Sequence, residues 1–204
     1  MSALPVTLDK RRHLLEAAVR VFARKGFHAS RVGDIAVEAG AAHGLLYHYF
    51  SSKDELLETI FRETWSSLLE SLNGIYERGG SVHDQLRRVA AVVLGSWKQD
   101  PDLIRVLVRE VTRSPQLQRE VGEIEQALEA LARIVERGQQ NGELRSEIDP
   151  LIAATVVYGA LEEVLTSWVL GQLPDRQEDV ARAVETVVGV LTAGLMVSRE
   201  GKGG

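Results

Sequence analysis

Apolar residues recur at three- and four-residue spacing along nearly the whole chain, and no run alternates with the period of two that a half-buried strand requires. The pattern predicts an all-α fold of about nine helices. Leu14, Leu15, Ala18, Val21 and Phe22 share one face of a first helix over 8–25, which Gly26 stops. Ser30 suits the N-cap of a second helix over 31–39, whose buried stripe is Val32, Ile35, Ala36 and Ala39, and Gly40 supplies a turn. A third helix, about 42–49, is barely two turns long. Ser52-Lys53-Asp54-Glu55 has capping-box spacing, and the apolar series from Leu56 to Leu72 behind it predicts a long helix over 53–78.

Gly79-Gly80-Ser81 ends that helix, and 82–98 repeats the pattern with Leu86, Val89, Ala90, Val93, Leu94 and Trp97. Further breaks fall at Asp100-Pro101, Ser114-Pro115, Asn141-Gly142, Asp149-Pro150 and Gly171 to Pro174. Pro101, Pro115 and Pro150 each follow an Asp or Ser, the arrangement of an N-cap with proline in the first helical position. The last two helices, about 149–171 and 176–198, are apolar on more than one face. A helical hairpin of that kind predicts packing against a second copy of the chain.

Charge divides the chain unevenly. Residues 1–53 hold eight Lys and Arg against four acids, whereas residues 54–204 hold 16 basic and 25 acidic residues. A short basic head on an acidic body predicts that only the head meets nucleic acid, although the net charge of the whole is −5. With no cysteine there is no disulfide framework, thiolate nucleophile or thiolate-held zinc site. The N-terminus lacks the basic-then-apolar order of a signal peptide, and no uninterrupted apolar stretch approaches a membrane span, so a soluble, cytoplasmic protein is expected.

Within 26–53, two short helices separated by a glycine turn have the spacing of a helix-turn-helix for DNA. Leu46, Tyr49 and Phe50 have core spacing in the second of them, which leaves His43, Gly44, Leu45, Tyr47 and His48 outward. Gly44 costs about 1 kcal/mol relative to alanine inside a helix, so a close approach of backbone to DNA is expected there. Tyr47 and His48 can donate to phosphates, and Lys53 at a helix start combines a cation with open N–H groups.

The block Gly26-Phe27, Ser30, Ile35-Ala36, Ala39-Gly40, Gly44, Leu46-Tyr47-His48-Tyr49-Phe50, Lys53 and Leu56 resembles the TetR family of bacterial one-component transcriptional repressors. The resemblance implies a homeodomain-like helix-turn-helix domain over 1–53, with the first turn of the fourth helix included. It also implies a helical ligand-binding and dimerisation domain over 54–204. Carried over, it puts Ser30 and Arg31 on the DNA backbone, His43 and Leu45 at base edges, and Tyr47, His48 and Lys53 on phosphates. Ala42, also counted in the DNA-facing turn, stands where the family often has a serine, which removes a cap. Leu45 stands where threonine or serine is common, leaving a thymine methyl as its natural contact. The partner is double-stranded, pseudo-palindromic operator DNA, read by a homodimer formed through 149–171 and 176–198.

The body supplies Val93, Trp97, Leu103, Leu107 and Leu128, then Tyr158, Leu161, Leu165 and Trp168, as an apolar lining for a ligand. The stretches 109–114 and 158–170 resemble FadR-like members of the family, which repress fatty-acid degradation genes and are released by long-chain acyl-CoA. Such an effector needs cations for its CoA head, and Arg105, Arg109, Arg113 and Arg133 recur at helical spacing. The competing expectation is a regulator of an efflux or other metabolic operon that responds to a different apolar molecule. For a cationic drug, Glu110 and Glu162 would serve. An enzyme finds little support: P-loop, nucleotide-fold, serine-elbow and metalloprotease motifs are all lacking. No metal or cofactor is expected.

Overall fold

Two Asp-Pro pairs show how this chain starts a helix. In the computed structural model, which describes residues 4–111 and 122–196, the Asp100 carboxylate accepts the Leu103 N–H and that of Asp149 accepts the Ile152 N–H, both at 2.9 Å. Proline follows each cap, where its missing N–H leaves no intrahelical bond unmade. Among the described residues the helices are α1 (Leu4–Lys25), α2 (Val32–Glu38), α3 (His43–Tyr49), α4 (Lys53–Arg78), α5 (Val82–Gln99), α6 (Pro101–Val111), α7 (Gly122–Gln140), α8 (Pro150–Val169) and α9 (Gln177–Leu195). The fold is all-α, with one isolated antiparallel bridge between Leu144 and Met196 among the described residues. Gly26 and Gly40 have φ of +80° and +58°, the left-handed geometry that ends α1 and α2. The break expected at Ser114-Pro115 lies outside the described residues.

Packing forms two compact units. The first runs through Thr64 and also takes in α6; the second holds the chain from Trp65 to Gln99 and from Gly122 on. In the first unit, α1 packs on α2 and on α6. Leu14, Val21 and Phe22 are buried there with Ile35, Leu46, Phe50, Leu56 and Phe61. The Phe22 and Phe27 rings meet edge to face at 5.2 Å. The functional boundary expected after residue 53 therefore does not coincide with the packing boundary. A periodic apolar face marks α6 as packed without saying against what.

In the second unit, α7 packs on α8 and α9 on α5. Leu72, Leu86, Leu94, Ile134, Val157 and Val188 form its interior. The Arg137 guanidinium lies 3.4 Å from the Tyr76 ring centroid and donates to the Tyr76 carbonyl at 2.7 Å, which closes the C-terminal end of α4. Helix α8 is long and apolar enough to cross a membrane by composition alone. It carries Glu162 and Glu163, however, and buries Ala153, Ala154, Val157, Leu161 and Trp168 inside the unit.

Candidate functional site

Helix α3 is seven residues long and is held by Leu46, fully buried, and by Phe50 just beyond its end. That anchoring turns His43, Gly44, Tyr47 and His48 outward, while Leu45 is half-buried. The His43 and Tyr47 rings, one helical turn apart, lie 5.3 Å from each other. A Cβ at Gly44 would meet nothing within 4 Å, so packing within the protein does not require glycine there. Ala42 occupies the N-cap in extended geometry and offers no side-chain bond. Its exposed methyl and Leu45 border a surface groove of about 520 Å³ with Lys10, His13, Leu14 and Ala39 to Ala41. His13 Nε2 lies 3.2 Å from the Ala39 carbonyl and ties α1 to the turn between α2 and α3. Lys10 and His13 were not among the expected contacts; the Lys10-Arg11-Arg12 run was the available signal.

Two expected backbone contacts have other partners. Ser30 is buried and its hydroxyl donates to the Gly26 carbonyl at 2.6 Å, so it neither caps α2 nor points outward. The α2 cap position falls to Arg31, which is exposed, and the Asp34 carboxylate accepts the Arg31 N–H at 2.9 Å. Lys53 is half-buried. Its Nζ donates to the Phe27 carbonyl at 2.7 Å and the Ser30 carbonyl at 3.0 Å, and it sits 4.3 Å from the Phe27 ring centroid. At the start of α4 the Ser52 hydroxyl accepts the Glu55 N–H at 3.1 Å. The reciprocal half of the capping box shifts by one residue, because the Glu55 carboxylate takes the N–H and hydroxyl of Ser51, both at 2.6 Å.

Much of the positive charge of the head is paired within it. Arg20 and Arg24 hold Glu38 at 2.8 and 2.7 Å, and Lys25 holds Asp34 at 2.7 Å. Arg11 pairs with Glu63. The bonds from Arg24 and Arg20 keep the Glu38 carboxyl below its ordinary range, and the bond from Lys25 does the same for Asp34. Lys10 and Arg31 are exposed, and Lys10 borders the same groove as Leu45.

The expected effector residues fall in both units. Leu103, Arg105, Leu107 and Arg109 lie on α6 in the first unit, where Arg105 pairs with Asp102 at 2.6 Å and Arg109 donates to the Ala23 carbonyl at 3.3 Å. Arg113 lies outside the described residues. In the second unit, Tyr158, Leu161 and Glu162 come together on α8, with the Tyr158 ring 6.0 Å from that of Trp65. Burial raises the Glu162 carboxyl, and the Glu163 charge adds to the shift, against a hydrogen bond with Tyr158. Burial also pushes the Tyr158 hydroxyl up. Trp65, absent from the expected set, sits in the apolar series of α4 and gave no separate signal. Val93, Leu128 and Leu165 are half-buried.

Trp97 and Trp168 stack at 6.3 Å and are both buried. Their indole N–H groups donate to Asp175 at 3.0 Å and to the Pro174 carbonyl at 3.1 Å, so they hold the loop after α8. Arg133 is exposed, donates to Asn73 at 2.6 Å, and borders a cleft of about 240 Å³ with Leu69, Gln126 and Glu129. Among the described residues no group of His, Asp and Glu is placed to hold a metal ion.

Comparison with known proteins agrees with this arrangement. Residues 14–60 match the family described as bacterial regulatory proteins, tetR family, and residues 76–187 match the tetracyclin repressor-like C-terminal domain. The fatty acid metabolism regulator protein of Bacillus subtilis (strain 168) is 28% identical over 184 residues, covering 89% of this chain and 93% of the relative. The crystal structure of FadR from Bacillus subtilis in complex with stearoyl-CoA superposes with a TM-score of 0.80 at 27% identity, covering 90% of this chain and 98% of the other. FadR of Bacillus halodurans, a fatty acid degradation regulator, gives a TM-score of 0.83 at 26% identity, covering 95% and 98%. The chain belongs to the tetR family of bacterial regulatory proteins and is a DNA-binding transcriptional regulator.

Proposed function

We propose that this regulator represses fatty-acid degradation genes and is released from its operator by long-chain acyl-CoA. The observation that carries the reading is the near full-length likeness to a regulator crystallised with stearoyl-CoA. Residues 1–53 read DNA, and 54–204 bind the effector and dimerise. His43 and Leu45 meet base edges, Gly44 lets the backbone approach, and Arg31, Tyr47 and His48 contact phosphates. Two copies associate through α8 and α9, where Ile152, Val156 and Val190 are 65, 55 and 70% exposed. The pair presents its α3 helices to half-sites about 34–36 Å apart. Helix α4 runs from reader to body, and effector binding favours a state in which the spacing no longer fits. Operator DNA then weakens effector binding by the same factor. Such a protein works in the bacterial cytoplasm.

A second reading is favoured by Glu162. A half-buried carboxyl between Tyr158 and its like-charged neighbour Glu163 suits a lipophilic cation better than an anionic head group. One experiment tests both. Native mass spectrometry of the protein as purified, followed by thermal shift and operator release with palmitoyl-CoA, palmitate and a lipophilic cation, should show a copurified acyl-CoA and release by palmitoyl-CoA alone. Release by the cation with no response to palmitoyl-CoA would replace the acyl-CoA reading.

A further inference from the structure

We infer that the groove between α1 and the turn joining α2 to α3 is an additional DNA-backbone site, in which Lys10 takes one phosphate of each half-site. The inference rests on α3 being the reading helix. The groove, about 520 Å³ in volume, is bordered on α1 by Lys10, His13 and Leu14, in the turn by Ala39 to Ala42, and on α3 by Leu45. Lys10, His13 and Leu14 share one face of α1, since residues three and four apart lie side by side on a helix. Ala42 is the N-cap of α3 and Leu45 lies in its first turn. A strand that flanks the bases under the start of α3 therefore runs past the groove.

The lining suits a sugar-phosphate strand. The turn contributes only alanine methyls and one glycine, which leave room and offer an apolar surface to the C–H face of a sugar. Lys10 is exposed at the border and brings a permanent positive charge, and no acid is among the lining residues. The acids of the head are engaged elsewhere: Glu16 with Arg12 at 3.7 Å, Asp34 with Lys25 at 2.7 Å, and Glu38 with Arg20 and Arg24. An ammonium on a flexible stem beside small uncharged residues can follow a phosphate without first leaving a carboxylate. His13 has a different part. Its Nε2 donates to the Ala39 carbonyl at 3.2 Å, which holds α1 against the turn and fixes the width of the groove. His13 is the positioning residue and Lys10 the ligand.

The test uses the full-length protein and the duplex that the wild type selects from a randomised pool. Lys10→Gln should lower the slope of log affinity against log salt by about 1.8 for a dimer, one phosphate per head at about 0.9 each. Lys10→Arg keeps the charge and should keep the slope. Arg12→Gln removes a charge from another face of α1 and should lower the slope by less than half as much. Phosphate ethylation interference locates the contact: one phosphate in each half-site whose ethylation weakens wild-type binding should become indifferent in Lys10→Gln. Ala41→Leu fills the groove without altering charge, and at unchanged far-UV circular dichroism it should weaken binding about tenfold by displacing both phosphates. An unchanged slope in Lys10→Gln, an equal loss in Arg12→Gln, an interference pattern identical to wild type, or wild-type binding by a folded Ala41→Leu would each overturn the site. Should Ala41→Leu fail to fold, the Lys10 slopes and the interference pattern decide alone. His43→Ala keeps the reading of α3 separate. Altered base preference in that variant with no change of slope in Lys10→Gln sinks the groove alone, whereas no effect of either sinks the reading of α3 with it.

Discussion

The His43 and Tyr47 rings lie 5.3 Å apart on the outer face of α3, so each shapes the position of the other. Removal of the hydroxyl in Tyr47→Phe should weaken binding to every duplex by about 0.5–1.5 kcal/mol without altering sequence preference. His43→Ala should change preference at one base pair, by about 1–3 kcal/mol. Because the rings touch, Tyr47→Ala combined with His43→Ala should depart from additivity by more than about 0.5 kcal/mol. Gel-shift titrations on a panel of single-base operator variants measure all three. Strict additivity, or a Tyr47→Phe effect confined to one base pair, would contradict the placement.

Arg20, Arg24 and Glu38 make the reader sensitive to acid. The paired Glu38 and Asp34 carboxyls titrate below their ordinary range. A depressed folded-state pKa stabilises above the unfolded value, and that contribution is lost as pH falls through the folded one. Thermal unfolding should therefore show a Tm steady near neutrality that declines progressively below about pH 5. In Glu38→Gln the decline should be shallower, since one titrating pair is gone. An identical pH profile for wild type and variant would remove Glu38 from the account.

What the sequence displays and what it conceals differ by the range of the interaction. Gly26, Gly40 and the Asp149-Pro150 pair act on their immediate neighbours, so helix ends were legible. Ser30 misleads because serine can cap the helix ahead or bond the carbonyl behind, and the local turn selects the second. The partners of Lys53 lie 26 and 23 residues upstream, beyond any periodicity argument. Counting charges gives a basic head, but not that Arg20 meets Glu38, 18 residues away, on folding. For Leu103 to Arg109 the apolar spacing was visible while the surface it packs on was not. Trp97 and Trp168 are legible as large apolar residues, whereas their N–H partners after α8 are not.

Ala42 is a cap position without a cap. Its extended backbone, φ −64° and ψ 138°, is what a serine hydroxyl needs to accept an N–H of the first turn of α3. Ala42→Ser should stabilise the protein by about 0.5–2 kcal/mol. For a chain of this size that corresponds to a rise in Tm of about 2–4 °C per kcal/mol. Differential scanning calorimetry checks it; an unchanged or lower Tm would mean that the first turn is already satisfied by other means.

Gly138 and Gly74 should respond to alanine in opposite directions. Both are helical, and propensity alone favours alanine by about 1 kcal/mol. At Gly138 a Cβ would overlap the Val82 side chain and come within 3.0 Å of Leu144. At Gly74 it would meet nothing within 4 Å. Overpacking of a buried site costs about 1–3 kcal/mol, which outweighs the propensity gain. Urea unfolding should show Gly138→Ala lowered and Gly74→Ala raised. Equal signs would mean that the α7 contact with Val82 relaxes more easily than its burial implies.

The apolar surface left on α8 and α9 makes the final prediction. Val156 and Val190 contribute little to the interior of their own unit, since they are 55 and 70% exposed. Covering such a side chain with a second copy is worth about 1.5–3 kcal/mol when burial is complete. Placing a carboxylate there instead desolvates a charge with no partner. Val156→Glu and Val190→Glu should each leave helical content unchanged while shifting the protein toward monomer. Operator affinity should fall with it, because one reader then meets one half-site. Sedimentation velocity and gel shift at matched concentrations read the two effects. A variant that stays dimeric and binds normally would place the self-association surface elsewhere on the body.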